Sequence, residues 1–138
     1  MTVKYQRVIG IDISSEKLDV FDSDGKLTST IENTCEAVNK LAKAIKNREG
    51  TLVVCEPTGA YEYVLVEAMH SAKIPVAIAN PRQVRDFAKG HGFLEKSDRI
   101  DARMIMVFGQ QVDIHCFHSQ VKAIANEVSE VDARLFVE

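Results

Sequence analysis

The sequence predicts an α/β domain built on a mixed sheet with helices on both faces. Three observations lead there. An apolar, β-branched run near the N-terminus contains a glycine and an aspartate; two short strands follow it through turn residues; and the remainder alternates apolar strand with amphipathic helix. Residues 7–14 (RVIGIDIS) read as a central strand buried on both faces. Residues 17–22 (KLDVFD) form a second strand, and Ser23, Asp24 and Gly25 supply the turn into a third at residues 26–33, completing an antiparallel meander. Residues 35–48 place Val38, Leu41, Ala42 and Ile45 at helical spacing, with Thr34 as N-cap and Gly50 marking the end.

The second half alternates more strictly. Residues 51–55 (TLVVC) form a short buried strand, residues 60–72 a helix with Tyr63, Val66, Glu67 and His70 along its turns, and residues 74–79 (IPVAIA) another strand. Strand, helix, strand in this order implies a parallel, right-handed crossover. Pro81 at the first helical position after Asn80 starts a helix through about Lys89, which Gly90, His91 and Gly92 break. A further helix is expected from Ser97 to about Gln111, a hinge over residues 111–119, and a last helix over residues 120–136. The expected organisation is one domain over residues 1–112, then a C-terminal helix over residues 113–138 that begins a linker or oligomerisation segment. Three hairpin-connected strands followed by parallel strands and helices is the ribonuclease-H-like plan. The same order also begins an actin-like or sugar-kinase-like ATPase domain.

At 138 residues the chain fits a single domain, and one of that size buries roughly two-thirds of its unfolded surface without disulfides. With 46% hydrophobic and 27% charged residues it falls outside the composition of disordered chains. No apolar run reaches membrane-spanning length and no signal-peptide layout opens the chain, so a cytoplasmic protein without a membrane partner is expected. Cys35, Cys55 and Cys116 are odd in number and widely spaced, which gives no disulfide framework. The net charge of −3 runs against the basic surplus usual in nucleic-acid binders. Its distribution is more informative. Residues 82–103 carry six Lys/Arg against four Asp/Glu, while residues 1–81 carry nine against eleven and residues 104–138 two against five.

The chemistry-bearing candidates are carboxylates. Asp12 lies within an apolar strand, where a carboxylate is costly to desolvate without a cation or several donors; the alternative is a strand-end aspartate capping a turn with Ser14 and Ser15. Glu56 follows TLVVC at the carboxyl end of a buried strand, the edge of an open α/β sheet where ligands bind. Asp98 and Asp101 stand three apart at the expected start of a helix, so both would project from one face; acidic residues there also simply favour the helix dipole. An oxygen-only set of this kind suits magnesium or manganese and phosphoryl transfer. Arg82, Arg85, Lys89 and Lys96 are candidate phosphate contacts, against an ordinary solvated helix face, and Lys96 and Arg99 flank Asp98. His115, Cys116 and His118 lack the second ligand pair of a zinc site, and no general base is evident beside Ser14 or Ser15.

Four motifs, IGIDISSEKLDV, CEPTGAYEY, IPVAIANPRQVRDFAKGHG and KSDRIDARMI, run in order over most of residues 8–109. In order and spacing they resemble the N-terminal, RuvC-like domain of the DEDD transposases, the Piv and MooV type of insertion-sequence recombinase. The resemblance implies a metal site on Asp12, Glu56, Asp98 and Asp101, and DNA strand cleavage and exchange during transposition or inversion. It also implies assembly into dimers or tetramers, with the final helix as a candidate contact. Members of the family are longer, and the domain that bears their nucleophilic serine has no counterpart in these 138 residues. Some relatives are directed by a guide RNA encoded in the element, although no RNA-binding module is readable here. Two rival readings remain: an actin-like ATPase, which SSEK fits poorly where a Gly- or Thr-rich phosphate loop should stand, and a non-catalytic assembly module.

Overall fold

A computed structural model describes residues 5–56, 59–92 and 100–111. Its elements are β1 (Arg7–Ile13), β2 (Lys17–Asp22), β3 (Ser29–Glu32), α1 (Cys35–Ala44), β4 (Thr51–Cys55), α2 (Tyr63–Ser71), β5 (Val76–Ile78), α3 (Pro81–Gly90) and α4 (Ala102–Gln111). The strands form one sheet in the order β3-β2-β1-β4-β5. On one side of β1 the meander pairs antiparallel; on the other, β4 and β5 pair parallel. The mixed sheet expected from the sequence is therefore present, with β1 at its centre.

Alternation along β1 sorts the two faces. Val8 and Gly10 point to the face on which α4 lies. A Cβ built on Gly10 would meet Ala102 O at 2.3 Å and Met106 N at 2.4 Å, and one on Gly109 would meet the Val54 and Val8 side chains at 2.7 and 3.0 Å. These two glycines let the helix backbone lie directly on the sheet. They also fix its direction. The start of α4 sits over Gly10 and its end over Val8, so the helix runs antiparallel to β1 and begins at the carboxyl edge of the sheet. Ile9, Ile11 and Ile13 point the other way into the core, where α1 and α2, packed on each other, supply the cover among the described residues.

The element ends differ from expectation for identifiable reasons. β3 begins at Ser29 instead of residue 26, because the chain wraps around the buried Asp22 carboxylate first: the Asp24 and Leu27 N–H groups donate to it, at 3.0 and 2.9 Å, and Gly25 takes φ +79° in the turn. Thr34 caps α1 as expected, accepting from Ala37 N at 3.2 Å, but the helix stops at Ala44, where Ile45 turns extended and buries its side chain. α2 starts at Tyr63, after a turn containing Gly59 at φ +75°, and its buried residues are Leu65, Val66 and Met69. Of the four residues read along the turns of this helix, Val66 is buried and Tyr63, Glu67 and His70 are exposed. Asn80 caps α3 through its Oδ1 and Pro81 takes the first helical position, as the sequence indicates.

The largest correction concerns α4. A helix was expected from Ser97, carrying Asp98 and Asp101 on one face; the helix starts at Ala102, and Asp101 is its N-cap, with Oδ1 accepting from Met104 N at 2.9 Å. The Asp101 cap sets this start, and Ala102 O, the first carbonyl of the helix, lies against Gly10 of β1. Asp101 therefore precedes the helix and does not stand on one of its faces. Asp98, Lys96 and Arg99 lie outside the described residues, as do the expected final helix, the HCxH stretch and the proposed boundary at residue 112.

Candidate active site at the carboxyl edge of the sheet

Asp12 and Glu56 stand side by side because of strand register. β1 and β4 pair Gly10 with Val54 and Ile11 with Cys55, so one further step brings Asp12 abreast of Glu56, both on the α4 face. Their charges act on each other. Burial, then the neighbouring Asp12 charge, push the Glu56 carboxyl above its ordinary range, and the Arg85 guanidinium partly offsets them. Glu56 Oε1 is buried and has no hydrogen-bond partner among the described residues. A buried acceptor left without a donor costs on the order of 1–3 kcal/mol, more when ionised. Such an oxygen calls for a cation.

A third carboxylate stands in the same row. Asp19 lies directly opposite Asp12 across the antiparallel β1–β2 pair, an arrangement that is destabilising for like charges. Thr30 Oγ1 donates to Asp19 Oδ1 at 2.8 Å, which ties that side chain toward β3. Sequence reasoning passed over Asp19. The signal was available in the short hairpin, whose turn at Ser14 sets a register that pairs residue 12 with residue 19.

Asp101 caps α4 at the same edge, next to Ala102 over Gly10. Even so, no three His, Cys, Asp or Glu side chains come close enough together among the described residues to hold one ion. The described chain thus offers an adjacent pair, Asp12 and Glu56, with Asp101 near the same edge. The oxygen-only donors and the orphaned Glu56 Oε1 fit a hard divalent cation.

Of the basic candidates, Arg85 is half-buried on α3 and within electrostatic reach of Glu56, whereas Arg82 and Lys89 are exposed on the same helix. Their spacing of three and seven places them on one face, away from the buried Val84 and Ala88. Phe87 anchors the helix edge-on against Phe108 of α4, with ring centroids 5.5 Å apart. Cys55 is not a nucleophile: burial, with the Glu62 and Glu56 charges, pushes its thiol up to about 12. Ser14 has a structural task, its hydroxyl donating to Lys17 O and accepting from Lys17 N to close the hairpin.

Fold and edge together define a ribonuclease-H-like domain with paired acidic residues where its two central strands end. Two solved structures share that fold. RuvC from Thermus thermophilus is 16% identical, with a TM-score of 0.56, 85% of this chain and 97% of that chain being covered. The T. thermophilus RuvC structure in complex with a Holliday junction substrate, also 16% identical, gives 0.54 over 86% and 97%. No curated protein sequence matches significantly. The sequence model of the IS110-type DEDD transposases, described as "Transposase", matches residues 9–131, and the chain belongs to that family. This membership decides against the actin-like alternative. No helix among the described residues is long and apolar enough to cross a membrane.

Proposed function

We propose that this chain is the strand-cleaving domain of a DNA transposase or site-specific recombinase, and that Asp12 and Glu56, joined by Asp98 and Asp101, hold one or more magnesium or manganese ions. The observation that carries the reading is the buried, donorless Glu56 Oε1 beside Asp12. Family membership and the RuvC-like fold support it. When bound, a divalent ion of this kind neutralises charge on a scissile phosphate and activates an attacking oxygen.

The chain's own residues set the geometry. Asp12 and Glu56 present adjacent oxygens from two neighbouring central strands, so their spacing is fixed by backbone hydrogen bonds instead of side-chain flexibility. Asp101 Oδ1 is engaged by the helix backbone, which leaves Oδ2 to meet an ion. Arg85, with Arg82 and Lys89 beyond it on α3, would hold the sugar-phosphate backbone alongside the acids, and Lys96 and Arg99 would extend that contact. Strand exchange would require the serine-bearing domain that the family resemblance implies. Among the described residues nothing supports a guide RNA or an oligomer contact, and the proposal rests on DNA alone.

Manganese titration calorimetry tests the site without relying on turnover. Wild-type chain should bind Mn²⁺, and Asp12→Asn should weaken binding by at least about tenfold. An isotherm unchanged by the substitution would sink the reading.

A further inference from the structure

Tyr61 and Tyr63 are the exposed large hydrophobic side chains of the described residues, 51% and 49% accessible. Both belong to the connection that leaves Glu56 and enters α2, and neither joins the packed face of that helix, which is Leu65, Val66 and Met69. The residue between them, Glu62, is buried, so the chain is pinned with the two rings on either side of an anchored position. A second tie fixes the loop to the acidic edge. The Asn33 side-chain amide donates both to Ser14 O at 2.9 Å, two residues beyond Asp12, and to Tyr61 O at 3.1 Å. Tyr63 N donates to Ala60 O, closing the turn.

Aromatic rings held on a fixed backbone at the rim of a polar site suit a flat apolar partner. Residues 59–63 (GAYEY) contain no Lys or Arg, so this rim offers stacking surface and no cation for phosphate. The described candidate phosphate contacts, Arg82, Arg85 and Lys89, stand elsewhere, on α3. We propose that Tyr61 and Tyr63 form a platform on which an unpaired base of the strand engaged at the Asp12–Glu56 edge stacks. This rests on the nucleic-acid reading of that edge. It extends the reading by naming single-stranded, unstacked nucleotide as what the loop recognises.

The test uses the full chain with a single-stranded DNA oligonucleotide of mixed sequence and an abasic oligonucleotide of equal length, both with Mn²⁺ present. Two of the chain's three tyrosines belong to the platform and it has no tryptophan, so tyrosine emission responds to the platform above a background from Tyr5. Stacking should quench that emission with the mixed-sequence strand and leave it unchanged with the abasic one. Tyr61→Ala and Tyr63→Ala should each weaken binding of the mixed-sequence strand by about tenfold, without changing abasic binding. Tyr61→Phe and Tyr63→Phe should bind like wild type, since the ring is kept. Because both side chains are exposed, the alanine variants should unfold at the wild-type temperature, which separates lost stacking from lost fold. Wild-type affinity in folded alanine variants would overturn the platform while leaving the acidic edge intact. So would a change in sedimentation without a change in DNA affinity, which would mark the tyrosines as a contact with a second copy. Failure of the wild-type chain to bind either oligonucleotide would overturn both the platform and the function proposed for the edge.

Discussion

Near the start of β1, Asp22 is buried and richly satisfied: Arg7 donates from Nε at 2.9 Å and from Nη2, and the Asp24 and Leu27 backbones add two more hydrogen bonds. At the other end of the same sheet, Glu56 has a buried oxygen with no donor among the described residues and Asp12 as a like-charged neighbour. The two carboxylates titrate in opposite directions. Burial acts to raise Asp22, but the Arg7 hydrogen bonds, the two backbone donors and the Arg7 charge outweigh it, and its pKa falls below the ordinary range. For Glu56, burial and the Asp12 charge prevail over Arg85 and the pKa rises. One acid is complete within the fold; the other is complete only with something added. The contrast separates a carboxylate that stabilises structure from one that the proposed function assigns to a ligand.

Removing the satisfied acid should do the most damage. Asp22→Ala leaves the Arg7 guanidinium partly buried with only the exposed Asp24 carboxylate, 3.6 Å away, as a partner, and a loss of about 3 kcal/mol, the low end for a broken buried pair, is expected in urea unfolding. The pH dependence follows from the direction of the shift. Because the folded pKa lies below the unfolded value of about 3.9, the stabilisation is complete above about pH 5 and fades as pH falls through the folded pKa. The stability gap between wild type and Asp22→Asn should therefore be constant near neutrality and shrink in acid. A gap that widened in acid would reverse the assignment.

Gly10 joins the two ends, since it lies between Arg7 and Asp12 on β1 and admits α4. Gly10→Ala would place a methyl group against backbone atoms that cannot rotate away, and about 3 kcal/mol of destabilisation is expected. The start of α4 must then lift from the acidic edge. Mn²⁺ affinity should fall together with the melting temperature, whereas Asp22→Asn should lower stability and leave the residual folded protein able to bind Mn²⁺.

Glu56→Gln sharpens the contrast from the other side. Without metal it should match or slightly exceed wild-type stability, because it removes a buried charge repelled by Asp12. With metal the order should invert. A ligand at a hundred times its dissociation constant stabilises by about 2.7 kcal/mol, and the variant should lose most of that gain. Thermal melts with and without Mn²⁺ measure both halves. Equal metal-induced shifts in variant and wild type would show that Glu56 is not a ligand.

The strands were legible because their signals are local. The β-branched runs, the Ser23-Asp24-Gly25 turn and the alternation after residue 50 mark the strands of a mixed sheet, with Asp12 inside the first of them and Glu56 at the carboxyl end of a later one. What was not legible depends on register or on packing at a distance. Nothing beside Asp22 in the sequence marks it as buried; its partner Arg7 is fifteen residues earlier and meets it only through the β1–β2 pairing. Asp19 meets Asp12 for the same reason. The exposed Tyr63, Glu67 and His70 fit a helical period as well as the buried Leu65, Val66 and Met69 do, and only the sheet decides which face turns inward. The start of α4 had a local signal in Asp101, but Ser97 caps as well by residue type, and the glycine that receives the helix lies ninety-two positions earlier in the chain.

Asp101 carries the smallest expected effect and the finest distinction, because it resembles both classes of acid. Its Oδ1 caps α4, as Asp22 serves the hairpin, while its place beside Ala102 puts it at the edge that Glu56 occupies. Asp101→Ala removes the cap and should cost about 1 kcal/mol. Asp101→Asn keeps an oxygen for the Met104 N–H, and asparagine caps as well as aspartate does, so the melting temperature without metal should stay close to wild type. The charge is lost all the same. If Asp101 serves the ion as well as the helix, Asn should weaken Mn²⁺ binding by about tenfold while leaving the helix capped. If affinity instead survives in Asn, Asp101 belongs with Asp22 as a structural acid, and the described part of the metal site reduces to Asp12 and Glu56.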